Sequence, residues 1–95
     1  MTGTTRSSEG LDARRRKLLF RSWHRGIREM DLVLGGFADT HIGVLTDAEL
    51  DQYERLLEVQ DADILSWITG GQPVPPAHGT ALFAMVVASR DTVTS

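Results

Sequence analysis

The sequence predicts an all-α protein, a small five-helix bundle, and three observations lead there. Apolar residues recur three and four apart in successive segments. Nowhere does a sustained two-residue alternation of the kind a half-buried strand needs appear. Glycines, prolines and capping residues cut the chain into pieces of ordinary helix length. Ninety-five residues, 41% of them hydrophobic, are enough for one modest core and too few for a second. The domain is expected over 11–91, between an N-terminal tail at 1–10 ("MTGTTRSSEG") and a short C-terminal tail at 92–95, both poor in anchoring apolar side chains.

From Asp12, Leu18, Leu19, Ser22 and Trp23 share one side of a first helix, with Arg14, Lys17, Arg21 and Arg28 on the other. Gly26, just past a basic last turn, is expected to cap its end. Ile27, Met30, Leu34, Phe37, His41 and Leu45 form the inward stripe of a second helix. Gly35-Gly36 weaken that helix in isolation and allow another helix to approach closely. Thr46 and Glu49 in "TDAE" match a capping box, and Leu50, Tyr53 and Leu57 follow as a buried stripe, leaving Asp47, Asp51, Glu54 and Glu58 to solvent. Asp61 is expected to cap a fourth helix carrying Ile64, Leu65, Trp67 and Ile68 and closed by Gly70-Gly71. "QPVPP" cannot continue it. The fifth helix is expected from about Thr80 to Arg90, with Leu82, Met85, Val86 and Ser89 inside.

The chain has no cysteine, which removes disulfides, thiolate catalysis and iron–sulfur or zinc-thiolate sites. No apolar run approaches the roughly 18 residues that span a bilayer, and the first ten residues lack the apolar core of a secretion signal, so a soluble cytoplasmic protein without membrane insertion is expected. The net charge of −3 conceals a polarised chain. Arg14, Arg15, Arg16, Lys17, Arg21, Arg25 and Arg28 are seven of ten basic residues with no acid among them, whereas eight acids between Asp39 and Asp63 face only Arg55. Such blocks either pair internally or present opposite charges to partners.

No catalytic or metal-ligating set stands out. His24, His41 and His78 lack helical metal-pair spacing, and the paired glycines lack the strand and lysine of a phosphate loop. His41 reads as a packed histidine, Trp23 and Trp67 as core or rim. A helix, a glycine turn and a second helix imitate a nucleic-acid module, but Glu29 and Asp31 sit where base-reading side chains belong and the protein is acidic, so no nucleic-acid partner is expected. That leaves "HRGIREMD". Arg25 offers a forked cation, Gly26 exposes backbone, and Glu29 adds a carboxylate close by. On the residues alone this is either a turn with a surface ion pair or a contact surface.

The segment "RRRKLLFRSWHRGIREMDLVLGGFADTHIGVLTDAELDQYERLLEVQDADILSWITGGQPVP" resembles the succinate dehydrogenase assembly factor family over about Arg14 to Arg90. The markers are the Arg-Gly-x-x-Glu signature at Arg25, Gly26 and Glu29, the following Asp31, "LGGFAD", "LTDAELDQYERLLE" and "DADILSWITG" before a proline. The resemblance implies a five-helix bundle and a non-enzymatic role: promoting covalent attachment of FAD to the flavoprotein subunit of succinate dehydrogenase and, in some bacteria, of fumarate reductase. It implies that Arg25, Gly26 and Glu29 meet that subunit, supported by Asp31, His24 and Arg28. The FAD would belong to the client, with none held stably here, and the factor would act as a monomeric chaperone that orders another protein's active site. A helical adaptor for a different partner is the first alternative, and a nucleic-acid-binding module the second and weaker one.

Overall fold

The computed structural model describes residues 10–94; Ser95 and the first nine residues of the expected N-terminal tail lie outside the described residues. Five α-helices follow one another: α1 (Ala13–Trp23), α2 (Arg28–His41), α3 (Asp47–Leu57), α4 (Asp61–Thr69) and α5 (Ala81–Thr94), with a 3-10 turn at Pro76–His78. Among the described residues there is no strand. α5 runs to Thr94, into the segment expected as a C-terminal tail.

Each helix has a local reason for its boundaries. The Asp12 carboxylate accepts from the Arg15 N–H at 3.2 Å and caps α1. α1 stops at Trp23, with His24 rather than Gly26 as its C-cap. Gly26 lies two residues further on, at φ +100°, and reverses the chain instead of closing the helix. α2 opens at Arg28 after Ile27 in extended conformation, and Glu29 and Asp31 set negative charge against its N-terminal dipole. The expected capping box of α3 is formed in full: the Glu49 N–H donates to Thr46 Oγ1 at 3.2 Å, and the Thr46 N–H donates to Glu49 Oε1 at 2.9 Å. Gly70 ends α4 at φ +83°, where the N–H groups of Gly71 and Gln72 both reach the Ser66 carbonyl. The Thr80 hydroxyl accepts from the Phe83 N–H at 3.1 Å and caps α5.

α2 is the hub. It packs against α1 on one side and α5 on another, while α3 rests on α5 and α1. The stripes meet in one core that includes Leu18, Met30, Leu34, Phe37, Leu50, Tyr53, Leu57, Ile64, Ile68, Leu82 and Val86. Phe83, which the sequence reading left off the inner side of α5, is buried too. The close approach expected at the glycine pair is made by Trp23 of α1. Its ring lies against Gly35, where an added Cβ would overlap it, and its Nε1 donates to Asp39 at 3.0 Å. Deeper in, Ser22 Oγ lies 2.7 Å from the Leu18 carbonyl and 2.5 Å from the Tyr53 hydroxyl, which lies 3.3 Å from the Leu34 carbonyl, so the two hydroxyl protons serve two of these three contacts. Ser22, the one polar side chain in the buried set among the described residues, is thereby satisfied. His41 is a packed histidine tilted against Phe37, with ring centroids 4.8 Å apart.

Four expectations about individual residues are corrected. Ile27 is not on the core stripe; as the extended N-cap of α2 it escapes the helical period and is exposed. Leu45 is buried but lies beyond α2, which ends at His41. Asp61 is not the cap of α4, a position held by Gln60 without a side-chain bond; it is the first helical residue. The acidic face of α3 is not simply solvated. Arg14 bonds Asp51 at 2.6 Å and Glu54 at 2.9 Å, and Arg21 bonds Glu58 at 2.8 Å. Arg15 reaches the carbonyls of Ile42 and Leu45 at 2.9 and 2.7 Å. The basic and acidic blocks thus pair across the α1–α3 seam.

Candidate partner-binding surface

The six residues singled out from the sequence fall on one turn and the helix that follows it, but they do not all face the same way. The Arg25 side chain points into the protein and is only 10% exposed. Each donor nitrogen of its fork has its own acceptor: Nε donates to Asp61 Oδ1, one terminal nitrogen to the Leu57 carbonyl and the other to the Val59 carbonyl, all at 2.7 Å. Asp61, equally sheltered, returns a full negative charge to it. A compact lysine ammonium has no fixed fork to match these three directions; a planar guanidinium does. The Arg25 backbone N–H donates to Asp31 Oδ1 at 2.6 Å, so Asp31 is also turned toward the turn rather than outward.

The other four residues face solvent. Gly26 is exposed, with no atom within 4 Å of the place a Cβ would occupy, so its backbone is open to an approaching surface. Arg28 and Glu29, both exposed in the first turn of α2, have no side-chain partner among the described residues. His24 is exposed and stacked on Phe20, ring centroids 3.9 Å apart and planes 18° from parallel. Its Nδ1 lies 2.7 Å from the Phe20 carbonyl, an acceptor only, so Nδ1 carries the proton and Nε2 faces away from the backbone as a free acceptor when the ring is neutral.

Three exposed apolar residues stand beside these in the chain: Phe20 and Leu32, which the sequence reading did not single out, and Ile27, which it placed in the core. Phe20 is 62% exposed and Ile27 and Leu32 each 42%. Phe20 lies four residues before His24, and Leu32 four after Arg28, a spacing that puts each pair on one helix face. Phe20 was legible as an aromatic outside the inward stripe of α1. Asp61 was also missed as part of this region, since its partner lies 36 residues away.

Among the described residues no group of three or more His, Asp or Glu side chains is placed to hold a metal ion. Nor, among the described residues, is any helix long and apolar enough to cross a membrane. Arg14, Arg15, Arg21 and Arg25 are each committed to acceptors within the fold.

The family model described as the flavinator of succinate dehydrogenase matches residues 16–90, which contain the whole turn and all of its internal acceptors. The chain belongs to that family. Its match to the FAD assembly factor SdhE of Acetobacter pasteurianus is 36% identical over 81 residues, covering 85% of this chain and 74% of the relative. Mitochondrial succinate dehydrogenase assembly factor 2 of Candida glabrata is 42% identical over 71 residues, covering 75% of this chain and 46% of that one. The same factor of Dictyostelium discoideum is 42% identical over 72 residues, covering 76% and 51%. The chain therefore spans about half the length of these mitochondrial relatives and most of the bacterial one. Flavinators of succinate dehydrogenase are assembly factors, and the all-α bundle described above is the form that this family member takes.

Proposed function

We propose that this chain binds the flavoprotein subunit of succinate dehydrogenase and promotes covalent attachment of FAD to it, using the exposed turn at 24–29 as the contact. The observation that carries this reading is the state of Gly26 and Glu29. Two of the three signature positions lie at the surface, one as bare backbone and the other as a carboxylate with no partner within the described fold. Backbone without a side chain admits close approach, and a carboxylate beside a cation, Arg28, fixes orientation through charge-assisted hydrogen bonds. His24 adds an outward ring nitrogen. The factor contributes order rather than chemistry: FAD and the histidine that receives it belong to the client, and the factor holds no FAD of its own. The client is met in the cytoplasm by a monomer, and the flavoprotein of fumarate reductase presents the same chemistry as a second client.

Glu29→Ala tests this. The variant removes an exposed side chain, so the helical circular dichroism and melting midpoint should stay near wild type, within about 0.5 kcal/mol of stability. Covalent flavin on a co-expressed flavoprotein subunit, scored by fluorescence on a denaturing gel, should fall sharply. A folded variant that flavinylates its client normally would overturn the reading.

A further inference from the structure

We propose that Arg25 and Asp61 act together as a positioning clamp: they hold the 24–27 turn in its docking shape from inside the protein, and neither contacts the client. The inference rests on the docking role proposed for that turn and changes what the signature arginine does within it. Each of the three nitrogens of the Arg25 fork already donates inward, to Asp61 and the carbonyls of Leu57 and Val59, its backbone N–H donates to Asp31, and the side chain is only 10% exposed. Leu57 and Val59 flank the end of α3, and Asp61 is the first residue of α4. One side chain therefore ties the α1–α2 turn to the α3–α4 junction. The turn needs such a tie, since Gly26 sits at φ +100° with open space where a side chain would pack. A glycine unsupported by neighbours samples many backbone states, and ordering it only on docking would weaken the encounter.

The test separates a clamp from a direct contact by cutting it at the buried end. Asp61→Ala leaves Gly26, Arg28, Glu29 and Arg25 in place and frees the Arg25 fork; Asp61→Asn, which keeps the shape but not the charge, is the milder form should the alanine variant fold poorly. In the free protein, the backbone order parameter of Gly26 should drop from the rigid value of about 0.85 toward about 0.6, and exchange of the Arg25 amide should quicken. With the client, flavinylation should fall by roughly tenfold or more, the scale on which misplaced contact groups act. Arg25→Lys should give an intermediate loss, since one ammonium serves part of the fan. Arg25→Ala combined with Asp61→Ala should be no worse than Arg25→Ala alone. Leu82→Ala, a core truncation on α5, serves as the control: at a temperature where both are folded it should flavinylate as wild type even if its melting midpoint is equally low. The clamp is refuted if Asp61→Ala leaves the Gly26 order parameter unchanged. It is equally refuted if the turn loosens but flavinylation persists, or if freeing Arg25 tightens client binding, the mark of a direct contact. Because the order parameter is read without the client, it decides the clamp even where Glu29→Ala removes the docking role.

Discussion

Gly35→Ala is the smallest substitution that the packing forbids. Adding one methyl group in mid-helix ordinarily stabilises by about 1 kcal/mol, because alanine is the better helix former. Here the new Cβ would overlap the ring of Trp23, which is nearly fully buried and cannot swing clear without displacing its neighbours. Overpacking of this kind costs typically 1–3 kcal/mol. A shifted ring also loses the 3.0 Å bond from Nε1 to Asp39, and hydrogen bonds to charged groups contribute about 1.5–3 kcal/mol, taken at the low end for a partly exposed carboxylate. Set against the helix gain, the balance is a loss of about 1.5–3.5 kcal/mol, or a fall in melting midpoint on the order of 5–25 °C for a domain of this size. Thermal unfolding followed by circular dichroism at 222 nm, the helical band, reads it directly. The second half of the cycle is Trp23→Ala, which is destabilising alone but opens the space; on that background Gly35→Ala should be neutral or stabilising. A single Gly35→Ala variant that melts above wild type would refute the close contact between α1 and α2.

Two further outcomes follow from the core. Phe37→Ala, at a fully buried position shared by α2 and α3, should destabilise by about 3–5 kcal/mol in urea unfolding, and an unchanged midpoint would show that the inward face of α2 is misassigned. Burial pushes the hydroxyl pKa of Tyr53, the only tyrosine, far above its ordinary value of about 10, with the Ser22 hydrogen bond opposing the shift. The neutral hydroxyl therefore contributes stability in full below about pH 10, and this is lost as the pH rises further and the unfolded chain ionises first. Tyr53→Phe should flatten that alkaline limb of the stability profile.

What the sequence made legible was local. The capping box at Thr46 and Glu49, the glycine stop at Gly70 and the 3.6-residue stripes each depend on residues within a turn of one another, and each formed as read except at the stripe ends Ile27 and Leu45 and at Phe83. Gly35 was legible as a close approach, though not as a seat for Trp23, because the choice of partner is made by how α1 crosses α2. Ile27 was misplaced by a single helical position: one residue outside the helix, the period no longer governs where its side chain goes. For the turn, the sequence supplied the members but not their directions. Arg25 lies beside Gly26 in the chain, and nothing within a few residues reveals that its acceptors are 32 to 36 positions away. The same holds for the acidic face of α3, whose arginines lie 37 to 40 residues earlier.

The Arg25 fork bears on how the chain acquires its structure at all. α3 ends without a glycine, at a residue of ordinary right-handed conformation, and part of what its last carbonyls need is delivered by a guanidinium from the far side of the sequence. A helix finished from a distance is not an autonomous unit. A peptide covering 46–70 would keep its capping box at the start and fray at the α3–α4 junction, because the group that completes the junction is not in it. The junction is complete only when the α1–α2 turn docks on it, which couples the first and second halves of the bundle through a single side chain.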